Sequence, residues 1–99
     1  MIKVSVVIPF YSKESGRLIK AVESALNQSA SNLEVIVVDD CSPVSAQQEL
    51  ANLKDSRLNI TRHAQNTNGG VARNTGVELA QGQFIAFLDY DDIWYQDKL

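Results

Sequence analysis

The sequence predicts an α/β fold: an open, mostly parallel sheet with helices on both faces, in the order β-α-β-α-β-α-β. Three observations predict it. Four short runs rich in β-branched or aromatic residues alternate with amphipathic stretches. Most of these runs are continuously apolar, which suits parallel strands covered on both faces. Three of them end in polar clusters: PFYS, DDCS and DYDD. Those clusters fall at the carboxyl ends of the strands, where open α/β sheets bind ligands near a reversal of strand order.

The elements follow in order. Lys3–Pro9 (KVSVVIP) is the first strand, stopped by Pro9. Gly16–Gln28 is a helix, with Leu18, Ile19, Val22, Ala25 and Leu26 on one stripe. Leu33–Val38 (LEVIVV) is the second strand and runs into Asp39-Asp40. Val44–Leu53 is a poorer helical match, with Val44, Leu50 and Leu53 as its apolar positions. Leu58–His63 alternates and makes a weaker third strand. Gly70–Ala80 is a helix with Val71, Ala72, Thr75 and Leu79 on one side, and Gly82 is its expected terminator. Phe84–Leu88 (FIAFL) is the fourth strand. Right-handed crossovers would place such helices on both sides of one sheet.

The chain has 99 residues, enough for one small domain with a single core. Its hydrophobic content of 44% argues against disorder. A net charge of −3 disfavours nucleic acid as the main partner. A single cysteine, Cys41, rules out an intrachain disulfide and suits a reducing compartment. No apolar run approaches the ~18 residues of a membrane span. The opening MIKVSVVIPF reads as a strand rather than a signal peptide. A cytoplasmic domain is the expectation, with a peripheral place at the inner face of a membrane left open.

The densest chemical signal is DYDD, where Asp89, Asp91 and Asp92 place three carboxylates within four positions. In an extended segment Asp89 and Asp91 share a side and Tyr90 faces away. Two carboxylates ~4 Å apart repel by roughly 1 kcal/mol in water and about 4 kcal/mol near a protein surface. A divalent cation reverses that sign, and oxygen ligands favour magnesium, manganese or calcium over zinc. The competing reading is a solvated acidic turn capping a helical start at Ile93-Trp94.

Other candidates are weaker singly. One carboxylate of Asp39-Asp40 suits the cap of the next helix, and the other suits a base edge or a ribose hydroxyl. Tyr11, after Pro9, offers a face for stacking, though loop tyrosines more often pack on the surface. Glu14 and Arg17 open the first helix and read as solvated, with Glu14 a minor site candidate. In NTNGGVARNTG, Gly69-Gly70 permits close backbone approach, and Arg73 one turn later suits a diphosphate. The stretch matches neither the P-loop nor the GxGxxG spacing. His63, the one histidine, has no metal-ligand companions in sequence and reads as a surface or loop residue. Cys41 reads as a small buried thiol.

Taken together, VSVVIPFYS, AVESALNQS, EVIVVDDCS, NGGVARNTGVELAQGQFIAFLDYDDIW and the closing KL resemble the start of family two glycosyltransferases, which have the GT-A fold. The resemblance spans essentially the whole chain in order. It implies a Rossmann-like nucleotide-binding half that takes a nucleotide-sugar donor, expected to be a UDP-sugar. It implies Pro9, Tyr11 and Asp39 around the base, with Asp40 beside them and Arg73 near the base or diphosphate. It implies that DYDD is the family's D-x-D motif: Asp89 and Tyr90 at the nucleotide, Asp91 the direct ligand of Mn2+ or Mg2+, and Asp89 and Asp92 in support. Inverting transfer to a glycan, lipid-linked or other hydroxyl acceptor would serve polysaccharide or glycoconjugate synthesis.

The family more often has Asn at Ser12, Gly at Cys41 and Pro at Gln96. Residues 1–99 are then expected to be the donor-binding part of a longer domain, truncated on its C-terminal side and inactive alone, with the general base beyond Leu99. The fourth strand would expose an edge that invites self-association. Two other classes stand beside this reading. One is a receiver-like, magnesium-binding phosphoacceptor module, which would need its acidic pair after the first strand and a late lysine. The other is a non-catalytic nucleotide-binding module.

Overall fold

The computed structural model describes residues 2–99. Four strands, β1 (Val4–Phe10), β2 (Leu33–Asp39), β3 (Leu58–Arg62) and β4 (Phe84–Phe87), form one sheet. Every pairing is parallel, and the strand order is β3-β2-β1-β4. Three helices connect them: α1 (Arg17–Leu26), α2 (Ala46–Glu49) and α3 (Gly69–Leu79). The predicted α/β order holds throughout.

Register explains the division of the core. Val6 and Ile8 stand beside Val35 and Val37 on one face, where Leu18, Ala21, Val22, Ala25 and Leu26 of α1 cover them with Ala46 and Leu50. Ile36 and Val38 face the other way and pack on Ala72 of α3. The two central strands are therefore buried on both faces and largely apolar, with Ser5, Glu34 and Asp39 as their buried polar side chains.

Three element readings change. The weak helix after β2 is a single turn, capped by Ser45, whose side chain accepts from the Gln48 amide. The stripe expected on α3 is buried only in part: Ala72 is buried and Thr75 half-buried, with Gly76 buried beside them, whereas Val71 and Leu79 are exposed. A Cβ on Gly76 would run into Val7, so small residues let α3 lie close on β1. Gly82 does not end α3, whose C-cap is Ala80. It lies instead against Val4 and Ser5 and donates its amide to Ser5 Oγ at 2.8 Å. Ser5 Oγ donates to Glu34 at 2.6 Å, and Glu34 accepts the Gln81 amide at 2.7 Å. This buried pair pins the turn that leads into β4.

From β1 the chain steps outward to β2 and β3, then returns to the far side of β1 as β4. The reversal therefore lies at β1, and a crevice opens beyond the carboxyl ends of β1 and β4.

Candidate functional site

Three of the four strand ends, those of β1, β2 and β4, contribute to this crevice. β1 leads into Pro9, Phe10 and Tyr11, and β2 into Asp40. The first turn of α3 brings Gly69, Ala72 and Arg73. The residues after β4 bring Asp89, Tyr90 and Asp91. These ten line one cavity of about 220 Å³. Tyr90 meets Phe10 edge-on, with ring centroids 5.3 Å apart at 84°. Tyr11 is 43% exposed and presents its ring at the rim. The Arg73 guanidinium lies against Gly69, where any side chain would crowd it.

The acidic segment is a turn, not an extension of the strand. β4 stops at Phe87, and the Asp92 amide donates to the Asp89 carbonyl at 3.0 Å. The alternation that would aim Tyr90 away from its neighbours is lost, and Asp89, Tyr90 and Asp91 all reach the cavity. Asp92 does not line it: its carboxylate accepts the Ile93 amide at 2.9 Å. No helix starts at Ile93-Trp94. Among the described residues, no group of three or more His, Cys, Asp or Glu side chains is gathered for a metal ion. The socket of Asp89, Asp91 and Asp92 expected from sequence is thus not assembled: Asp89 and Asp91 of the turn face the cavity, together with Asp40 from the end of β2.

Asp39, the last residue of β2, and Asp40 after it divide their roles by strand alternation. Asp39 is 1% exposed and does not line the cavity. Its carboxylate accepts the Ser42 amide at 2.8 Å, the Ala46 amide at 2.9 Å and Arg62 Nη1 at 2.7 Å. A place at the base edge does not fit a carboxylate so engaged. Asp40 points to the α3 side and lines the cavity. Its Oδ1 accepts from Thr67 Oγ1 at 2.6 Å and sits 2.8 Å from His63 Nδ1, and the Thr67 amide reaches both oxygens. Burial would raise its pKa, but the bonds from Thr67 and His63 outweigh it and hold Asp40 below the ordinary carboxylate value.

His63 is therefore not a free surface residue. Its Nε2 lies 2.9 Å from Thr75 Oγ1, so it ties α3 to Asp40. Arg62 and His63 end β3 as Asp39 and Asp40 end β2, one basic residue per acid. The match becomes legible in the sequence only when those two runs are paired in parallel, Asp39 beside Arg62. Cys41 is half-buried rather than buried, and it adopts φ 57. That is the left-handed region, where glycine is the ordinary occupant.

Glu14 lies outside the main cavity. It lines a neighbouring one of about 270 Å³ with Tyr11, Ser12, Lys13, Arg17 and Tyr90. Arg17 and Glu14 are largely exposed, as expected, with the Arg17 guanidinium 3.9 Å from Glu14 and 4.0 Å from Asp91.

The fold and this crevice define an open, parallel α/β unit with an acidic turn at its switch point. Residues 5–99 match the model of glycosyl transferase family 2, and the chain belongs to that family. It is 45% identical over 103 residues to the succinoglycan biosynthesis protein ExoW of Rhizobium meliloti, covering 100% of this chain and 32% of that protein. It is 36% identical to WfgD of Escherichia coli, a UDP-Glc:alpha-D-GlcNAc-diphosphoundecaprenol beta-1,3-glucosyltransferase, over 97% of this chain and 38% of WfgD. The fold superposes on S. aureus TarS 1-349 in complex with UDP with TM-score 0.86 at 29% identity, covering 97% of this chain and 29% of TarS. The complex of the same protein with UDP-GlcNAc gives TM-score 0.84 at 30% identity over 96% of this chain and 28% of that one. The chain thus spans about a third of the length of the relatives it matches.

Proposed function

We propose that residues 1–99 are the donor-binding part of a glycosyltransferase that moves a sugar from a UDP-sugar to an acceptor hydroxyl in polysaccharide or glycoconjugate synthesis. One observation carries the reading: an aromatic rim, a guanidinium and the three carboxylates of Asp40, Asp89 and Asp91 converge on a cavity at the point where strand order reverses. The UDP complexes of TarS support uracil as the base.

In this reading Tyr11 packs on the base. Asp40, kept ionised by Thr67 and His63, accepts from the base's imide. Its Oδ2 has the room, with contacts of only 3.1 and 3.4 Å. Pro9 shapes the wall beneath, and Arg73 meets the diphosphate with charge-assisted hydrogen bonds. Asp39 acts from behind, holding the loop that carries Asp40.

A divalent cation fits the donor set. Magnesium and manganese need only one or two carboxylates when phosphate oxygens complete the shell. Asp91 and Asp89 line the cavity and would hold the ion, and Asp92 would only brace the turn. When bound, such an ion offsets the charge growing on the leaving diphosphate. Inversion is part of the proposal, with the general base supplied by residues beyond Leu99. The cytoplasm, where nucleotide-sugars are made available, is the proposed location.

Titration calorimetry with UDP, with and without Mn2+, tests the reading. Weak binding that strengthens with Mn2+ is expected, with little or no transfer by this chain alone. Asp91→Asn should remove most of the Mn2+ gain. Equal heats with and without the metal would remove the cation from the scheme, and no heat in either arm would remove the donor site.

A further inference from the structure

The segment after the acidic turn runs back along α1 from one end of the helix to the other. Four contacts mark its course in order. Arg17 faces Asp91, Ser24 Oγ accepts the Trp94 amide at 3.1 Å, Gln28 Nε2 donates to the Tyr95 carbonyl at 2.6 Å, and the Ser29 amide donates to the Gln96 carbonyl at 2.8 Å. α1 is thus a splint for residues 91–96.

Gln28 holds the far end. It is 5% exposed, in the connection after α1. One Nε2 hydrogen closes the helix end by bonding the Ser24 carbonyl at 3.1 Å, and the other goes to Tyr95. Its Oε1 accepts the Leu99 amide at 3.0 Å. Helix capping alone would need only the Ser24 bond. The other two bonds go to a segment about 70 residues away in sequence. Both donors of the amide are committed, so no carboxylate can replace it.

We propose that Gln28 is a positioning residue for the acidic turn: by anchoring residues 94–99 to the end of α1, it fixes Asp89 and Asp91 at the cavity. The turn is then held on both sides, upstream by β4 and downstream by this strap. This rests on the donor-site reading for its consequence, but not for its geometry.

The test uses Gln28→Glu, which keeps the shape and sets acceptors against two carbonyls. Ser24→Ala, which removes the Trp94 bond and, within α1, the Ser24 Oγ bond to the Ala21 carbonyl, serves as a milder variant should the first unfold. Amide exchange should rise at least tenfold at Trp94, Leu99 and Asp92, while β1 and β2 amides keep their protection. Emission of Trp94, the only tryptophan, should shift to the red. The Mn2+-dependent gain in UDP affinity should fall at least fivefold, and binding without metal should stay within twofold. Unchanged exchange at Asp92 in both variants would overturn the proposal, and so would equal losses of metal-dependent and metal-free binding. If the unaltered chain gains nothing from Mn2+, the donor-site reading fails there, and exchange at Asp92 alone decides the role of Gln28.

Discussion

At the scale of single residues, strain and ionisation decide the most. Cys41 occupies a left-handed backbone position that costs a side chain roughly 1–2 kcal/mol. Its thiol makes only long contacts, 3.7 Å to the Ala64 carbonyl and 3.9 Å from Arg62 Nη2. Cys41→Gly should therefore stabilise the chain by up to about 1 kcal/mol, the relief being partly offset by glycine's extra unfolded-state freedom. Denaturant unfolding checks this, and a loss of stability would show that the thiol contacts matter more than the backbone. Acid should act through Asp40 and Asp55, both held below the ordinary carboxylate value. For Asp55 the chief cause is the hydrogen bond from Arg57, whose Nη2 also caps the Leu26 carbonyl at 3.1 Å. A depressed carboxylate adds stability above its unfolded pKa of about 4, and that stability is lost as pH falls through the folded value. Melting temperature should accordingly be flat above about pH 5 and drop below pH 4. Asp55→Asn and Asp40→Asn should each flatten part of that drop.

At the scale of elements, close approach matters more than apolar content. α3 touches β1 and β2 through Ala72 and Gly76, not through Val71 or Leu79. Gly76→Ala should gain helix propensity yet lose stability, because its methyl meets Val7 across a tight contact. A net loss of about 1–3 kcal/mol is expected by thermal or urea unfolding. Pairing with Val7→Ala should recover part of the loss, as a steric origin requires. The same element shows what the sequence could reveal. Strands β1 and β2 were legible because β-branched runs of this kind have few alternatives, although Pro9 does not stop β1, which pairs through it to Phe10. The face of α3 was not, since helical periodicity identifies a stripe by apolarity, and a glycine facing a strand carries no such mark. Arg62, His63 and Gln28 were missed for a related reason. Their partners lie across strand register or along a packed segment, relations that exist only once the order β3-β2-β1-β4 is known. Of the singled-out residues, Pro9, Tyr11, Asp40, Arg73, Asp89, Tyr90 and Asp91 came together because all follow strand ends or a helix start on one side of the sheet.

At the scale of the whole molecule, the sheet is lopsided. β2 and β1 are enclosed, whereas β4 pairs only with β1. Phe84 is 60% exposed and Phe87 48%, with Ile85 also exposed between them. The Phe84 and Leu88 amides bond to β1, at the Lys3 and Val7 carbonyls. By the two-residue period of a strand, the Ile85 and Phe87 amides then point to the open edge. Apolar side chains beside unpaired donors form a template for a further strand. No helix among the described residues is long and apolar enough to cross a membrane, so this surface is not part of a helical span. We expect a second copy of this chain to pair there when the chain is studied alone. Sedimentation should show reversible association that grows with concentration over the micromolar to roughly millimolar range. Phe84→Lys with Phe87→Lys should abolish it, since edge lysines repel a second edge and leave the β1 backbone bonds in place. A chain that stays monomeric throughout that range, or an assembly indifferent to both lysines, would show that β4 is not the contact.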